Sequence, residues 1–300
     1  MNDAMPASAR PLPPALIPNS AARRGPVSPA PPMACDAHLH IYDPAHPAAG
    51  PTPENAGVEQ YRRLQALLGL SRAVIVQPRP YGTDNTVTLR AIAQLGPART
   101  RGIAVVDSDI GDAALQALHE GGIRGIRFSF HAPNTKAGGF EAVERLARRI
   151  APLGWHVQLH WTADQIARQR DLLERLPVAM VFDHLRRLPP ADGMAHPAFG
   201  IVRALLESGR AWLKLSGAYL NTRHGVRGGY HDTDAVARAW IESAPGQLVW
   251  GSDWPHVTEP VDKPDDTELF DLLSRWCGTQ ALQRQILVDN PARLYGFAAD

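Results

Sequence analysis

The chain has 300 residues, and its 31 Lys and Arg nearly balance its 30 Asp and Glu, so the formal net charge is +1. This balance argues against a nucleic-acid partner. Two cysteines, Cys35 and Cys277, cannot form a disulfide framework, which favours a reducing compartment. No apolar run approaches the ~20 residues of a membrane span, which argues against a membrane partner. We therefore expect a cytoplasmic protein.

The first part of the chain differs from the rest in composition. Nine of the 27 prolines lie in residues 1–32, a stretch that is also rich in Ala and Ser and has no apolar period. Such a segment cannot bury enough surface to offset its ordering entropy. We predict an extended or mobile arm over residues 1–33 and one domain over residues 34–300. The arm is expected to be dispensable for chemistry, and it could cover a neighbouring subunit in a homo-oligomer.

After the arm, short apolar runs alternate with longer segments of helical spacing. The runs are short enough and mostly rich enough in Val, Ile and Leu for buried parallel strands. The predicted strands are 34–43, 72–78, 101–107, 122–130, 156–161, 179–185, 211–217 and 247–254. The predicted helices are 58–70, 85–95, 113–120, 140–151, 163–176, 199–208, 233–243, 267–276 and 281–288. Eight strands each followed by a helix predict an α/β fold, a (β/α)₈ TIM barrel, with a doubly wound sheet as the alternative.

In such a barrel the chemistry lies where the strands end. Strand 1 ends in His38 and His40, which share a face because side chains alternate along a strand. Strand 5 ends at His160, strand 6 at His184 and strand 8 at Asp253. Their joint placement predicts one pocket, in which imidazoles could bind a metal ion or polarise a carbonyl.

The same alternation gives two negative expectations. Asp183 directly precedes His184, so it is expected to face the helix layer rather than the pocket. Cys35 is expected to face away from the histidines of strand 1.

The strand-end residues stand in motifs that resemble the amidohydrolase superfamily, and more closely its branch typified by 2-pyrone-4,6-dicarboxylate lactonase. The motifs are DAHLHIYDP (36–44), VIVQP (74–78), GIRGIRFSF (122–130), GWHVQLHW (154–161), VFDHLRR (181–187), LVWGSDWPH (248–256) and LVDNPARLYGF (287–297). Related members act on sulfomuconolactone and aldaric acid lactones. The resemblance implies a hydrolase that opens the ester bond of a small anionic, carboxylated lactone in aromatic or sugar acid catabolism.

The resemblance also implies catalytic roles. Asp253 would be the general base that takes a proton from the attacking water, because a free carboxylate with a pKa near ~4 is deprotonated at neutral pH. His38, His40 and His184 would hold the ester carbonyl and stabilise the charge that develops on its oxygen.

One departure from the type lactonase bears on metal binding. That enzyme works without a metal and carries a tyrosine where this chain has His160. The histidine restores the ligand set of mononuclear zinc members, namely His38, His40, His160 and Asp253, so we predict one divalent metal ion, zinc. The alternative is that His160 only hydrogen-bonds substrate.

Two arginines match substrate-binding positions of the family. Arg127 on strand 4 corresponds to an arginine that binds substrate carboxylate, for which a guanidinium offers a bidentate fork. Its alternative role is a buried ion pair with a strand acid. Arg187, just after strand 6, also matches a family arginine, although Arg186 could take its place.

Three further residues are candidates for substrate binding. Gln77 ends strand 2, where its amide could orient substrate or serve as a cap. Tyr81 lies in the loop that follows. Arg223 belongs to the glycine-rich, basic loop after strand 7, and loops after barrel strands commonly carry specificity.

Three other functions compete with lactone hydrolysis. The first is isomerisation of sugar-acid lactones, and the second is metal-dependent non-oxidative decarboxylation. The third is a degenerate barrel that only binds ligand, against which the set of costly buried polar groups argues.

Overall fold

Eight parallel strands form one sheet in the order β1 to β8, which confirms the predicted barrel and excludes a doubly wound sheet. The structure, a computed structural model, describes residues 17–131, 139–188 and 192–298, without the side chains of Arg186 and Arg187. The strands are β1 Cys35–Leu39, β2 Arg72–Val76, β3 Thr100–Ala104, β4 Ile123–Ser129, β5 His156–His160, β6 Met180–Phe182, β7 Ala211–Leu215 and β8 Leu248–Trp250. Backbone hydrogen bonds between residues 38–40 and 253–254 join β1 to the end of β8.

Eleven α-helices lie in the described part of the chain. They are α1 Val58–Leu68, α2 Thr86–Leu95, α3 Asp112–Glu120, α4 Phe140–Ile150, α5 Ala163–Arg168, α6 Arg170–Arg175, α7 Pro197–Glu207, α8 Asp234–Ser243, α9 Asp266–Cys277, α10 Gln280–Arg284 and α11 Asn290–Tyr295. None of these helices is long and apolar enough to cross a membrane.

Two predicted helices are subdivided. The segment predicted at 163–176 breaks at Gln169 into α5 and α6, and a capping box between Thr162 and Gln165 starts α5. The segment predicted at 281–288 passes from α10 into a π-helical turn, Gln285–Asp289, just before α11. Pro291 in α11 has no N–H to donate, so a regular ladder of backbone hydrogen bonds cannot run through this point.

A bulge in β1 sets the direction of the first histidine. Between Asp36 and Leu39 the chain advances three residues while β2 advances two, from Ala73 to Ile75. Cys35 therefore packs inside the barrel with residues of β2, β3, β6, β7 and β8, and His38 also turns inward. The expectation that Cys35 faces away from the histidines is wrong, because the extra residue breaks strict alternation.

The described part of the N-terminal segment, residues 17–33, lies against the β8 side of the barrel. Ile17 is buried, and the Trp254 indole donates a hydrogen bond of 2.9 Å to the carbonyl of Pro18. Further along, the Thr267 hydroxyl donates to the carbonyl of Arg24 at 2.8 Å. The division into an arm and a barrel at residue 33, and the dispensability of the arm, stay predictions.

Candidate active site

The ends of β1 and β8 bring His38, His40 and Asp253 together at the mouth of the barrel. Asp253 Oδ1 lies 3.5 Å from His38 Nε2 and 3.6 Å from His40 Nε2. This close approach requires a glycine directly after β8, because a Cβ on Gly251 would lie 2.6 Å from the Cβ of His38. Asp253 itself has φ +63, a conformation that non-glycine residues rarely adopt and that clusters at functional sites.

These three side chains fit a divalent metal ion. His40 Nδ1 lies 2.8 Å from the carbonyl of Val76, which can only accept, so a neutral ring carries its proton on Nδ1 and has its lone pair at Nε2, on the side of Asp253. His38 Nε2 is buried and has no hydrogen-bond partner among the described residues. Ligand atoms about 2.0–2.2 Å from a tetrahedral zinc ion lie roughly 3.3–3.6 Å apart, and the separations of 3.5 and 3.6 Å match this spacing.

His184 approaches the other oxygen of the same carboxylate. Its Nδ1 lies 3.7 Å from Asp253 Oδ2 and 3.1 Å from the Ser216 hydroxyl. His184 also has a positive φ, +53, and packs so closely on Gly217 that a Cβ there would lie 2.9 Å from Nδ1. His38, Asp183 and His184 form a second group whose candidate ligand atoms lie within 4.8 Å of one another.

His160 stands at the rim of this cluster. Its Nδ1 lies 2.7 Å from the Ser129 hydroxyl at the end of β4, and its ring centroid is 5.5 Å from that of His184. It belongs to neither of the two groups of closely spaced ligand atoms among the described residues. Its role, as a metal ligand or as a substrate contact, stays a prediction.

Below the histidines, a layer of buried polar side chains crosses the barrel interior. Arg127 donates to Asp183 Oδ2 from Nε at 3.1 Å, and its Nη2 lies 3.0 Å from the same oxygen. Gln158 donates to that oxygen at 3.2 Å, and Lys214 donates to Gln158 Oε1 at 2.8 Å. The expectation that Asp183 faces the helices is wrong, because this carboxylate lies inside the barrel 3.4 Å from His38. Arg127 makes the ion pair that was its alternative role.

The electrostatics of the site favour an ionised Asp253 and a neutral His38. Burial would raise the pKa of Asp253, but the neighbouring histidines, His184 first, bring it well below its usual value. Burial, followed by the Lys214 ammonium, lowers the pKa of His38 well below its usual value. At neutral pH, Asp253 is therefore ionised and His38 neutral.

Comparison with known proteins identifies the family. The model of the family described as Amidohydrolase matches residues 35–297. The chain belongs to the amidohydrolase family. It is 36% identical over 302 residues to a 4-sulfomuconolactone hydrolase of Rhizobium radiobacter, covering 97% of this chain and 99% of the relative. The resemblance inferred from the motifs is confirmed.

Two further relatives of this amidohydrolase have informative names. A 2-pyrone-4,6-dicarboxylate hydrolase of Comamonas testosteroni is 34% identical over 274 residues, covering 87% of this chain and 90% of the relative. A D-galactarolactone isomerase of Agrobacterium fabrum is 29% identical over 269 residues, again covering 87% and 90%. All three relatives carry the name of a lactone or pyrone substrate.

Other residues selected from the sequence of this amidohydrolase occupy the periphery. The Gln77 amide donates to the carbonyls of Gly82 and Asp84 and accepts from the Thr88 hydroxyl at 2.6 Å. Its hydrogen-bonding groups therefore hold the loop after β2 and the first turn of α2. The Tyr81 hydroxyl bonds both the backbone N–H and the carbonyl of Asp43. The Arg223 side chain is exposed in the loop after β7, and that of Arg187 lies outside the described residues.

Two residues of the site were not predicted from the sequence, and both belong to the β7 region. The Tyr219 hydroxyl donates to Asp253 Oδ2 at 2.6 Å. Lys214 is fully buried, and its ammonium lies 3.3 Å from His38 Nδ1. A signal for Lys214 was present, because a lysine alternating with leucines in AWLKL is either buried with partners or not in a core strand. Tyr219 carried no comparable signal in the sequence.

Proposed function

We propose that this amidohydrolase opens the ester bond of a lactone that bears at least one carboxylate. The observation that carries the proposal is the Asp253 carboxylate, ionised and held in a left-handed conformation, with His38 and His40 facing one oxygen and His184 and Tyr219 facing the other. Relatives named as lactone hydrolases at 36% and 34% identity support the same reaction class.

The reaction follows from this arrangement. A water molecule beside Asp253 attacks the ester carbonyl carbon, and the carboxylate takes the proton that the water loses. His184 faces the carbonyl oxygen and stabilises the negative charge that develops on it. The carbon–oxygen bond of the ring then breaks, and the proton held on Asp253 passes to the leaving oxygen. The product is the open-chain hydroxy or enol acid, and the base is regenerated.

A divalent metal ion, which we assign as zinc, would be held by His38, His40 and Asp253, with His160 as the fourth predicted ligand. The fit rests on the spacing of the first three ligand atoms and on the unpartnered Nε2 of His38. When bound, the ion would polarise the carbonyl or activate water as a Lewis acid.

Anionic groups of the substrate would be met by arginine. The ion pair of Arg127 uses Nε and Nη2, so Nη1 is the nitrogen assigned to a substrate carboxylate, and the residue is 9% exposed. Arg187 after β6 and Arg223 in the exposed loop after β7 are proposed as outer contacts. His160 on the rim would hydrogen-bond substrate if it is not a metal ligand.

A screen of lactones tests this function. Lactones of dicarboxylic and aldaric acids, a sulfonated muconolactone and uncharged lactones of equal ring size would be incubated with the protein, with and without added zinc. Ring opening is followed by proton release and by NMR of the product. We expect turnover of the anionic lactones and a rate at least 100-fold lower for the uncharged ones. Equal rates for both sets would contradict the role assigned to Arg127.

Isomerisation of a sugar-acid lactone is the second candidate, because one relative is named as a D-galactarolactone isomerase. The same pocket could move the acyl group from one hydroxyl to another without net uptake of water. NMR separates the two reactions, since an isomerase yields a second lactone of different ring connectivity and a hydrolase yields the open acid.

A further inference from the structure

The ring nitrogen of His38 that points away from Asp253 lies close to one hydrogen-bond acceptor and one hydrogen-bond donor. Nδ1 lies 3.4 Å from Asp183 Oδ1 and 3.3 Å from Lys214 Nζ. A carboxylate oxygen requires a proton on Nδ1, whereas an ammonium that donates to Nδ1 requires a lone pair there. Because a neutral imidazole carries one proton, this choice also decides whether Nε2 faces Asp253 as a lone pair or as an N–H.

The bonding of Asp183 favours a proton on Nδ1 of His38. Oδ2 accepts from Arg127 and from Gln158, but the fully buried Oδ1 accepts no hydrogen bond of standard geometry from the described residues. A buried polar atom without a partner is costly, so Oδ1 needs a donor. Of its two neighbours, His38 Nδ1 at 3.4 Å is closer than Lys214 Nζ at 3.9 Å.

Lys214 does not need His38 as an acceptor. Its ammonium donates to the carbonyl of Ala37 and to Gln158 Oε1, both at 2.8 Å, which accounts for two of its three protons. Gln158 uses its carbonyl toward Lys214 and its amide N–H toward Asp183, so the same side chain connects cation and anion. The third proton is left for His38 Nδ1 at 3.3 Å or Asp183 Oδ1 at 3.9 Å.

We propose that Asp183 is a positioning residue that keeps the proton of His38 on Nδ1, so that Nε2 faces Asp253 as a lone pair. Arg127 and Gln158 hold Oδ2 of Asp183 and thereby aim Oδ1 at His38. The backbone carbonyl of Val76 does the same for His40, and both lone pairs then face the position beside Asp253 Oδ1 where the proposed metal ion would be held. The inference rests on the proposed function and deepens it, because a lone pair at Nε2 is what His38 would need as a metal ligand.

The proton position can be measured without turnover. Metal-free, full-length protein labelled with ¹⁵N-histidine would be studied by long-range ¹H–¹⁵N NMR, with His38→Asn used to assign the His38 ring. We expect Nδ1–H in the wild type, Nε2–H in Asp183→Asn, whose amide can donate to Nδ1, and Nδ1–H retained in Lys214→Met. Nε2–H in the wild type, or a shift of the proton to Nε2 in Lys214→Met, would overturn the proposal.

Zinc affinity gives the second readout, measured by competition with a chromophoric chelator. Replacing a partner that orients a metal-binding histidine typically costs 10–100-fold in affinity, and we expect a loss of that size in Asp183→Asn. An unchanged affinity would overturn the positioning role. If wild-type protein binds no zinc but shows Nδ1–H, the metal assignment fails while the role of Asp183 stands. If Asp183→Asn does not fold, the wild-type and Lys214→Met spectra still decide.

Discussion

The two halves of the barrel mouth use polar side chains in different ways. At the ends of β1, β6 and β8, buried histidines and Asp253 face one another across a shared space. At the ends of β2 and β3, buried polar side chains bond the backbone of the loops. The Gln77 amide donates to the carbonyls of Gly82 and Asp84. The Asn85 amide donates to the carbonyl of Val105 and accepts from the N–H of the same residue.

The difference shows how strand-end residues acquire function. A polar side chain whose donors and acceptors are taken up by backbone groups positions a loop, and it has little capacity left for a ligand. Asp253 instead presents its Oδ1 to the side chains of His38 and His40, and its other oxygen accepts a hydrogen bond from the Tyr219 hydroxyl. Mutations in the first half should therefore affect turnover, and mutations in the second half should affect stability.

Asp253→Asn should have the largest effect on turnover. General base catalysis contributes roughly 10²–10⁴-fold, and we expect a loss of that size in kcat on the best lactone, with an unchanged circular dichroism spectrum. The matched control is Asp107→Asn after β3, where an exposed carboxylate accepts from the Thr83 hydroxyl. Wild-type rates in Asp253→Asn would rule out its role as the base.

Metal removal should also lower activity strongly. We expect one zinc per chain by elemental analysis, at least 100-fold lower kcat after chelation, and recovery on adding zinc. His40→Asn should lower the bound zinc. His46→Asn should not, because His46 lies in the loop after β1 and bonds Asp84 at 3.0 Å. Full activity in protein shown to be metal-free would remove the zinc assignment.

Tyr219→Phe should have a smaller effect. Its hydroxyl holds Asp253 Oδ2, and a hydrogen bond to a charged group contributes about 1.5–3 kcal/mol. We expect kcat to fall about tenfold with little change in KM. Tyr230→Phe, a buried tyrosine later in the same loop, should retain the wild-type kcat. An equal effect of both substitutions would point to a general disturbance of the loop.

Gln77→Met tests the other half of the mouth, and its effect on turnover should be the smallest. The substitution leaves the buried Thr88 hydroxyl of α2 and the carbonyl of Asp84 without their partner, so the free energy of unfolding should fall by about 1–3 kcal/mol. Denaturant titration measures this loss, and kcat should change less than threefold. Gln116→Met, on the exposed face of α3, is the control. A large rise in KM at retained stability would instead favour the substrate role predicted for Gln77.

The barrel and the four residues that meet at its mouth could be predicted from the sequence. Hydrophobic runs of strand length alternating with helical periodicity are local signals, and His38, His40, His184 and Asp253 follow because a barrel gathers the ends of its strands. The predicted helix 163–176 was taken as one element, although the polar run RQRD at 168–171 interrupts its apolar spacing where the chain breaks at Gln169.

The pairing of the polar residues depends on contacts between strands that are far apart in the chain. The bulge in β1 depends on its register with β2, so strict alternation failed for Cys35. Arg127 meets Asp183 from 56 residues away, and Lys214 meets His38 from 176 residues away. These partners meet in the barrel interior, where a buried charged group is stable only if neighbouring groups compensate its loss of hydration. No local pattern in the sequence carries that information.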